Sequence, residues 1–266
     1  MLCVGDSHTY GLWVKTEESY PARLQAKLST GPRQFAVLNA GVPGMNSSQL
    51  RDTLPDLLDS FAPDVVLLMV GVADFWNRAG AQTKEVRSWR WILRGGEWWD
   101  RSRVVKLARL IRFNLRYRSA VRNAGVPIVE HGGLDWKIHG GTHEISGTHE
   151  GSFYYPAEEE EVVRRVLRRD LSTMASAIQA RGVTLVLMTY APEVPLYRTI
   201  NGVYRDVAQQ TGLPLIDLGR RLAEWSEPPG QTSAYFPDFH PRPAGYELIA
   251  TVVAEALPVY VESSRR

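Results

Sequence analysis

The sequence predicts an α/β fold in which a parallel sheet of five strands carries helices on both faces. Three observations support this prediction. Short apolar runs without polar alternation recur along the chain, as expected for parallel strands that are buried on both faces. Helical stretches separate these runs, and strands that alternate with helices form doubly wound sheets with right-handed crossovers. Glycine and proline mark the turns between them.

The predicted strands are short and rich in Val, Leu, Ile or Phe. The third, DVVLLMVG, is the clearest because its apolar run is continuous. The second, FAVLN, is also expected to be buried. The strands are predicted at Met1–Gly5, Phe35–Asn39, Asp64–Gly71, Thr184–Tyr190 and Leu213–Leu218.

The predicted helices show apolar residues at helical spacing or begin with a capping residue. In the first, Pro21 lies near the first turn, where its missing N–H costs little. Ser47 or Ser48 caps the second, and the charges of the third are expected to face solvent. The helices are predicted at Ser19–Leu28, from Ser47 or Ser48 to about Phe61, and at Ala157–Gly182, Arg198–Gln210 and Pro243–Leu257.

The composition indicates one globular domain, residues 1–266, with an insertion. A formal net charge of +2 is too close to neutral to indicate a nucleic-acid partner. The sequence shows no signal peptide and no apolar run of the roughly 20 residues that span a membrane, which makes the cytoplasm the default expectation. A first strand that begins at Met1 leaves localisation open, because a longer native N-terminus would explain it. The oligomeric state is also open.

The interval of residues 78–156 is too long for one crossover and is predicted to be an insertion of helices and loops. Its residues 84–122 hold twelve Lys or Arg against three acidic residues, and an amphipathic helix with a basic outer face. The simplest interpretation is a solvated helix packed on the sheet. The functional interpretation is a lid or substrate wall, while contact with a membrane surface is less favoured.

Four histidines follow in a glycine-rich stretch that contains GTHE twice. Their spacing matches no zinc pattern, and no cysteine accompanies them. The sequence therefore predicts an exposed loop and no metal site. These histidines are His131, His139, His143 and His149.

Ser7 lies where the first strand ends and the chain must turn, which makes it the candidate nucleophile. Side chains at this edge of a parallel sheet project into the crevice where open α/β folds bind ligands. A serine hydroxyl needs a base and a group that orients the base. Asp238 and His240, in a proline-flanked turn before the last helix, supply both. The order Ser, Asp, His is allowed because such triads are defined by geometry.

Four blocks of this sequence, in this order, resemble the SGNH (GDSL-type) hydrolases. The resemblance implies a flavodoxin-like three-layer α/β/α sandwich and hydrolysis of a small-molecule or carbohydrate ester without a metal or other cofactor. It covers the five-strand framework but not residues 78–156. The blocks are GDSHTYG (Gly5–Gly11), NAGVPGMNSSQ (Asn39–Gln49), GVADFWN (Gly71–Asn77) and DFHPRPAGY (Asp238–Tyr246).

The resemblance also implies an oxyanion hole formed by the backbone N–H groups of Ser7 and Gly41. Its third donor in the family is an Asn, whose position is Ala73 in this chain. Losing one donor lowers the rate on the order of a hundred- to a thousandfold. The supporting motif residues are Asp6 and Asp74, together with Asn46 and Asn77 as candidates to fill the gap.

The sequence therefore predicts a serine hydrolase of carboxylic esters, either an esterase or a carbohydrate deacetylase. Ser7 attacks the ester, His240 is the general base, and Asp238 orients it. The acid departs from the family pattern, because Pro237 holds the usual position and Asp238 is one residue closer to His240. Two alternatives stay open: an O-acyltransferase with the same nucleophile, and a catalytically impaired SGNH-like binding protein that lacks the oxyanion Asn.

Overall fold

The structure is a computed structural model that describes residues 1–29, 35–75, 77, 157–223, 233–236 and 238–263. The insertion predicted at 78–156 lies outside these residues, together with its basic helix and four histidines. Its role as a lid or substrate wall stays a prediction. Within the described residues, no helix is both long enough and apolar enough to cross a lipid bilayer.

Five strands form one parallel sheet in the order β2-β1-β3-β4-β5. The predicted α/β class and five-stranded sheet are confirmed. The strand order reverses between β1 and β3, and ligands bind outside the carboxyl ends of strands at such a switch point. The strands are β1 (Leu2–Gly5), β2 (Leu38–Gly41), β3 (Val65–Met69), β4 (Thr184–Met188) and β5 (Leu215–Ile216).

Helices cover the sheet in two layers. The first and last long helices, α2 and α7, pack together, while α4 packs against both α3 and α5. Short 3₁₀ turns occur at Thr16–Glu18 and Val72–Phe75. The helices are α1 (Ser7–Tyr10), α2 (Tyr20–Leu28), α3 (Ser47–Phe61), α4 (Ala157–Gln179), α5 (Pro195–Thr211), α6 (Leu218–Ala223) and α7 (Pro243–Ser263).

The core lies between the sheet and these layers. All five residues of β3 are buried, as the continuous apolar run predicts. Large aromatic side chains also belong to the core. A side chain of this kind buries about 150–250 Å² in a typical protein, which stabilises the fold by on the order of several kcal/mol. The fully buried tyrosines are Tyr20, Tyr190, Tyr197, Tyr204 and Tyr246.

The second strand differs from its prediction in position and in burial. It begins at Leu38, and this side chain is 40% exposed because β2 forms an edge of the sheet. The backbone just before it is bonded to a side chain rather than to a strand: Gln25 donates to Phe35 O and accepts from Val37 N. The strand therefore begins three residues later than the sequence indicates, at Leu38 instead of Phe35.

Candidate active site

The turn after β1 presents Ser7 at the first position of α1. The Asp6 carboxylate caps this helix by accepting the His8 backbone N–H at 3.0 Å. Its other oxygen accepts the Tyr190 hydroxyl at 2.6 Å, and the carboxylate is almost completely buried. Asp6 therefore holds the turn rather than contacting the space above Ser7.

The structure brings the three predicted residues of the triad together. Ser7 Oγ lies 2.8 Å from His240 Nε2, and His240 Nδ1 lies 3.0 Å from Asp238 Oδ2. Both side chains of the second pair are mostly buried, with 15% and 9% of their surface exposed. The contact chain from serine through imidazole to carboxylate is the arrangement that activates a serine hydroxyl.

The contact between His240 Nδ1 and Asp238 Oδ2 lacks the alignment of a hydrogen bond. His240 Nδ1 is buried and makes no aligned hydrogen bond within the described residues. The two-residue spacing is the physical reason, because Asp238 Oδ1 also accepts the backbone N–H of His240 at 3.2 Å. The carboxylate is thereby held close to its own backbone and reaches the ring from the side.

An indole completes the environment of this carboxylate. Trp13 Nε1 donates to Asp238 Oδ2 at 2.8 Å. Burial raises the pKa of Asp238, but His240 and the Trp13 N–H together lower the pKa below its ordinary value. The group is therefore ionised at neutral pH and able to stabilise a positive charge on His240.

Two bulky residues beside this carboxylate adopt left-handed backbone conformations. Trp13 has a φ of 71°, and Phe239, between Asp238 and His240, has a φ of 64°. Such conformations cost on the order of 1–3 kcal/mol each in residues other than glycine and cluster at functional sites. The fold maintains this strain on both sides of the carboxylate that faces His240.

His8 belongs to the candidate site although the sequence does not predict a role for it. Its buried ring stacks on His240, with ring centroids 4.4 Å apart and an interplanar angle of 21°. Its position directly after Ser7 is the only signal in the sequence. The stack on His240 is visible only in the tertiary structure.

The predicted oxyanion donor Gly41 is engaged elsewhere. Its N–H donates to Asn39 Oδ1 at 3.0 Å. The glycine is needed for another reason: a Cβ there would lie 2.2 Å from Tyr10 N, because β2 passes directly beside α1. This bond to the Asn39 side chain competes with the role of Gly41 as an oxyanion donor, which stays a prediction.

Gly44, in the loop that follows β2, has an N–H that makes no hydrogen bond with the described residues. Gly44 has a φ of 74°, and its carbonyl accepts Asn77 Nδ2 at 2.7 Å. Its own N–H has no acceptor in the described part of the chain, and the same holds for the N–H of Ser7.

Ala73 holds the third oxyanion position and lies in the 3₁₀ turn after β3. It is 1% exposed, so this position carries a buried methyl group in place of an amide. The two candidates to replace it are bound in the loop. Asn77 Nδ2 donates to Gly44 O and Gln49 Oε1, and Asn46 caps α3 while donating to Asn77 O. These amides hold the loop that carries Gly44, and their role in place of the missing Asn stays a prediction.

Asp74 lies in a buried polar network behind this loop. Ser47 donates its N–H and its hydroxyl to the Asp74 carboxylate at 2.7 and 2.6 Å. The Ser47 hydroxyl also lies 3.1 Å from a second carboxylate, Asp170, which Arg51 pairs at 2.6 Å. Burial raises the pKa of Asp74 to about 7 against the hydrogen bonds from Ser47. A protonated Asp74 can donate to Ser47, whose hydroxyl then donates to Asp170.

The raised pKa predicts a pH-dependent contribution of Asp74 to stability. The unfolded group releases its proton near 3.8 and the folded group near 7, so the folded state binds more protons between these values. The free energy of unfolding therefore falls as pH rises through this window, by about 1.4 kcal/mol for each unit of pKa difference. Urea unfolding of Asp74→Asn at pH 5 and pH 8 should lose this component. The exposed Asp56→Asn is the control, and an Asp74→Asn variant that keeps the wild-type difference contradicts the assignment.

Comparisons with known proteins agree with this architecture. A 74-residue stretch is 32% identical to an arylesterase of Vibrio mimicus, and it spans 28% of this chain and 37% of that protein. The crystal structure of TesA matches with a TM-score of 0.55 at 19% identity, covering 97% of this chain and 98% of that one. The psychrotrophic esterase EstA from Pseudoalteromonas sp. matches with a TM-score of 0.56 at 15% identity, covering 98% and 97%.

A third solved structure, the acetyl xylan esterase AlAXEase, matches with a TM-score of 0.51 at 18% identity and covers 97% of this chain and all of that one. At these identities the likenesses show a shared fold. The family follows from the sequence: the model of the GDSL-like lipase/acylhydrolase family matches residues 3–248, nearly the whole chain. The chain therefore belongs to the GDSL-like lipase/acylhydrolase family, the SGNH-type ester hydrolases.

Proposed function

We propose that this protein hydrolyses carboxylic esters through a covalent acyl intermediate on Ser7. The contact of Ser7 Oγ with His240 Nε2 at 2.8 Å is the observation that carries the proposal. His240 takes the hydroxyl proton while Oγ bonds to the acyl carbon, and it then protonates the leaving alcohol. A water, deprotonated by the same ring, attacks the acyl group and releases the acid and free Ser7.

Two backbone donors are proposed for the oxyanion that forms in each step. The N–H of Ser7 lies at the start of α1, and the N–H of Gly44 lies in the loop anchored by Asn77. Both lack an acceptor within the described residues, and donors of this kind stabilise developing negative charge most when they are held rigidly.

The missing third donor makes Ala73→Asn a test of this hole. An amide at this position is expected to raise kcat, by up to a factor on the order of 10², with little change in KM. Ala73→Leu is the matched control, because it adds a side chain of similar branching without a donor. Steady-state kinetics on the folded variants decides the case. If folded Ala73→Asn shows no gain in kcat over wild type, another group already serves as the third oxyanion donor. If the wild type is inactive and Ala73→Asn is active, the protein is a catalytically impaired SGNH-like member of the family.

Esters of acetate are the proposed substrate class. The likeness to an acetyl xylan esterase supports an acetyl group on a sugar, and the likeness to an arylesterase supports an ester of an aryl alcohol. The test compares nitrophenyl acetate, nitrophenyl decanoate and acetylated xylose oligosaccharides as substrates. A kcat/KM that is highest for the long acyl chain contradicts this class. Measuring free acetate against acetyl-sugar formation with an added acceptor sugar separates hydrolysis from acyl transfer.

A further inference from the structure

A second imidazole lies against the proposed general base. The His8 and His240 rings are nearly parallel, with centroids 4.4 Å apart. His8 directly follows Ser7 in α1 and is 2% exposed. The short helix α1 thus contacts His240 twice: the Ser7 hydroxyl lies against Nε2, and the His8 ring lies against the face of the imidazole.

The His8 ring is fixed from several sides. Its Nε2 lies 2.9 Å from the Tyr197 hydroxyl. The Tyr190 and Tyr197 rings meet it edge to face, at 5.0 Å with 87° and at 5.5 Å with 83°. Its backbone N–H is bound by Asp6. A ring enclosed in this way is a rigid support.

The His240 ring is held less firmly by its own contacts. Its Nδ1 faces Asp238 at 3.0 Å without an aligned hydrogen bond. A carboxylate that bonds in line with Nδ1–H fixes the plane of an imidazole, whereas this lateral contact leaves the ring able to tilt. Stacking on His8 restricts that tilt.

The support works only while His8 is uncharged, since two adjacent imidazolium rings repel each other. Burial and the neighbouring His240 lower the pKa of His8, although Asp6 and Asp238 favour its charged form. The other titratable groups at the ring are Tyr197, whose hydroxyl lies 2.9 Å from Nε2, and Tyr190, whose ring meets it edge to face while its hydroxyl donates to Asp6. A neutral ring with its proton on Nδ1, 3.4 Å from Asp6 Oδ1, accepts the Tyr197 hydroxyl at Nε2.

We propose that His8 is a positioning residue whose neutral ring fixes the plane of His240 for proton transfer from Ser7. The proposal rests on the function proposed above. It adds a role for the residue after the nucleophile. The stack of the His8 ring on the His240 ring restricts the orientation of His240, which Asp238 alone restricts only partly because its contact with Nδ1 is not aligned.

The test compares a variant that removes the flat surface with one that keeps it. His8→Leu is expected to lower kcat by a factor on the order of 10 to 10², as small misplacements of reacting groups do, with KM changed less than about twofold. The pair His8→Phe with Tyr197→Phe keeps an aromatic face and leaves no hydroxyl without its partner. It should recover most of the loss. The rate of Ser7 labelling by a fluorophosphonate should follow kcat.

Folding of each variant is checked by near-UV circular dichroism. A folded His8→Leu with the wild-type labelling rate overturns the proposal, and so does a folded Phe pair that is as slow as His8→Leu. If His8→Leu does not fold, nuclear Overhauser effects between the ring protons of His8 and His240 in the wild-type protein decide, and their absence overturns the stack. If the wild-type protein is not labelled at Ser7, the proposed function itself is contradicted. This outcome is distinct from a failure of the role of His8, which appears only as a difference between the variants and the wild type.

Discussion

Ser7→Ala is expected to reduce ester hydrolysis by a factor on the order of 10⁴ to 10⁶ while leaving KM and the fold unchanged. The reason is the loss of Oγ, the atom proposed to form the acyl intermediate, since alanine retains the backbone N–H but not this oxygen. The small volume change at the start of α1 leaves the Asp6 cap and the His8 stack in place. Steady-state kinetics with nitrophenyl acetate measures the effect.

The control for this variant is Ser172→Ala, which removes an exposed hydroxyl on α4 that bonds only to the carbonyl of Arg168 within the described residues. It should keep the wild-type rate. A Ser7→Ala protein that retains more than about a hundredth of the activity contradicts the nucleophile assignment, because general acid–base and oxyanion contributions alone do not sustain covalent turnover.

His240→Gln is expected to lower kcat by a factor on the order of 10² to 10⁴, the range of a lost general base. Glutamine can still approach Ser7 Oγ but cannot accept its proton. The double variant with Ser7→Ala should be little slower than Ser7→Ala alone, because residues that act as one unit are not additive. An additive double variant means that the two groups do not cooperate.

Asp238→Ala provides the contrast within the same triad. Its effect on kcat should be smaller than that of His240→Gln, because the carboxylate contacts Nδ1 laterally and His8 shares the orientation of the ring. An Asp238 variant that is as slow as His240→Gln indicates that the carboxylate holds the ring alone.

Much of the framework is predictable from local sequence. The apolar run of β3 and the apolar spacing of α2 and α3 follow from the hydrophobic pattern. The cap predicted for α3 is wrong by one or two residues, because Asn46 caps the helix and Ser47 is its first residue. The candidate residues Ser7 and His240 are also found from sequence, Ser7 because it follows the first strand and His240 because it lies in the proline-flanked turn before the last helix, and they contact each other in the structure. The four-residue helix α1 is too short for a periodic signal and depends on its Asp6 cap.

The details of the site depend on contacts between distant parts of the chain. Asn39 lies only two residues before Gly41 in sequence, yet only its side-chain conformation shows that its Oδ1 accepts the Gly41 N–H. The stack of His8 on His240 joins residues more than 200 positions apart, and Trp13 reaches Asp238 over a similar separation. No single segment encodes such pairs, because their geometry depends on how the turn before α7 packs against the turn after β1.

The covalent intermediate is the central claim, and labelling with a fluorophosphonate tests it most directly. We expect one phosphonyl group per chain, located on the peptide that contains Ser7 by mass spectrometry. Labelling should be slowed in His240→Gln and unchanged in Ser172→Ala. Absence of label on Ser7 in a folded protein, under conditions that label a control esterase, would contradict the account.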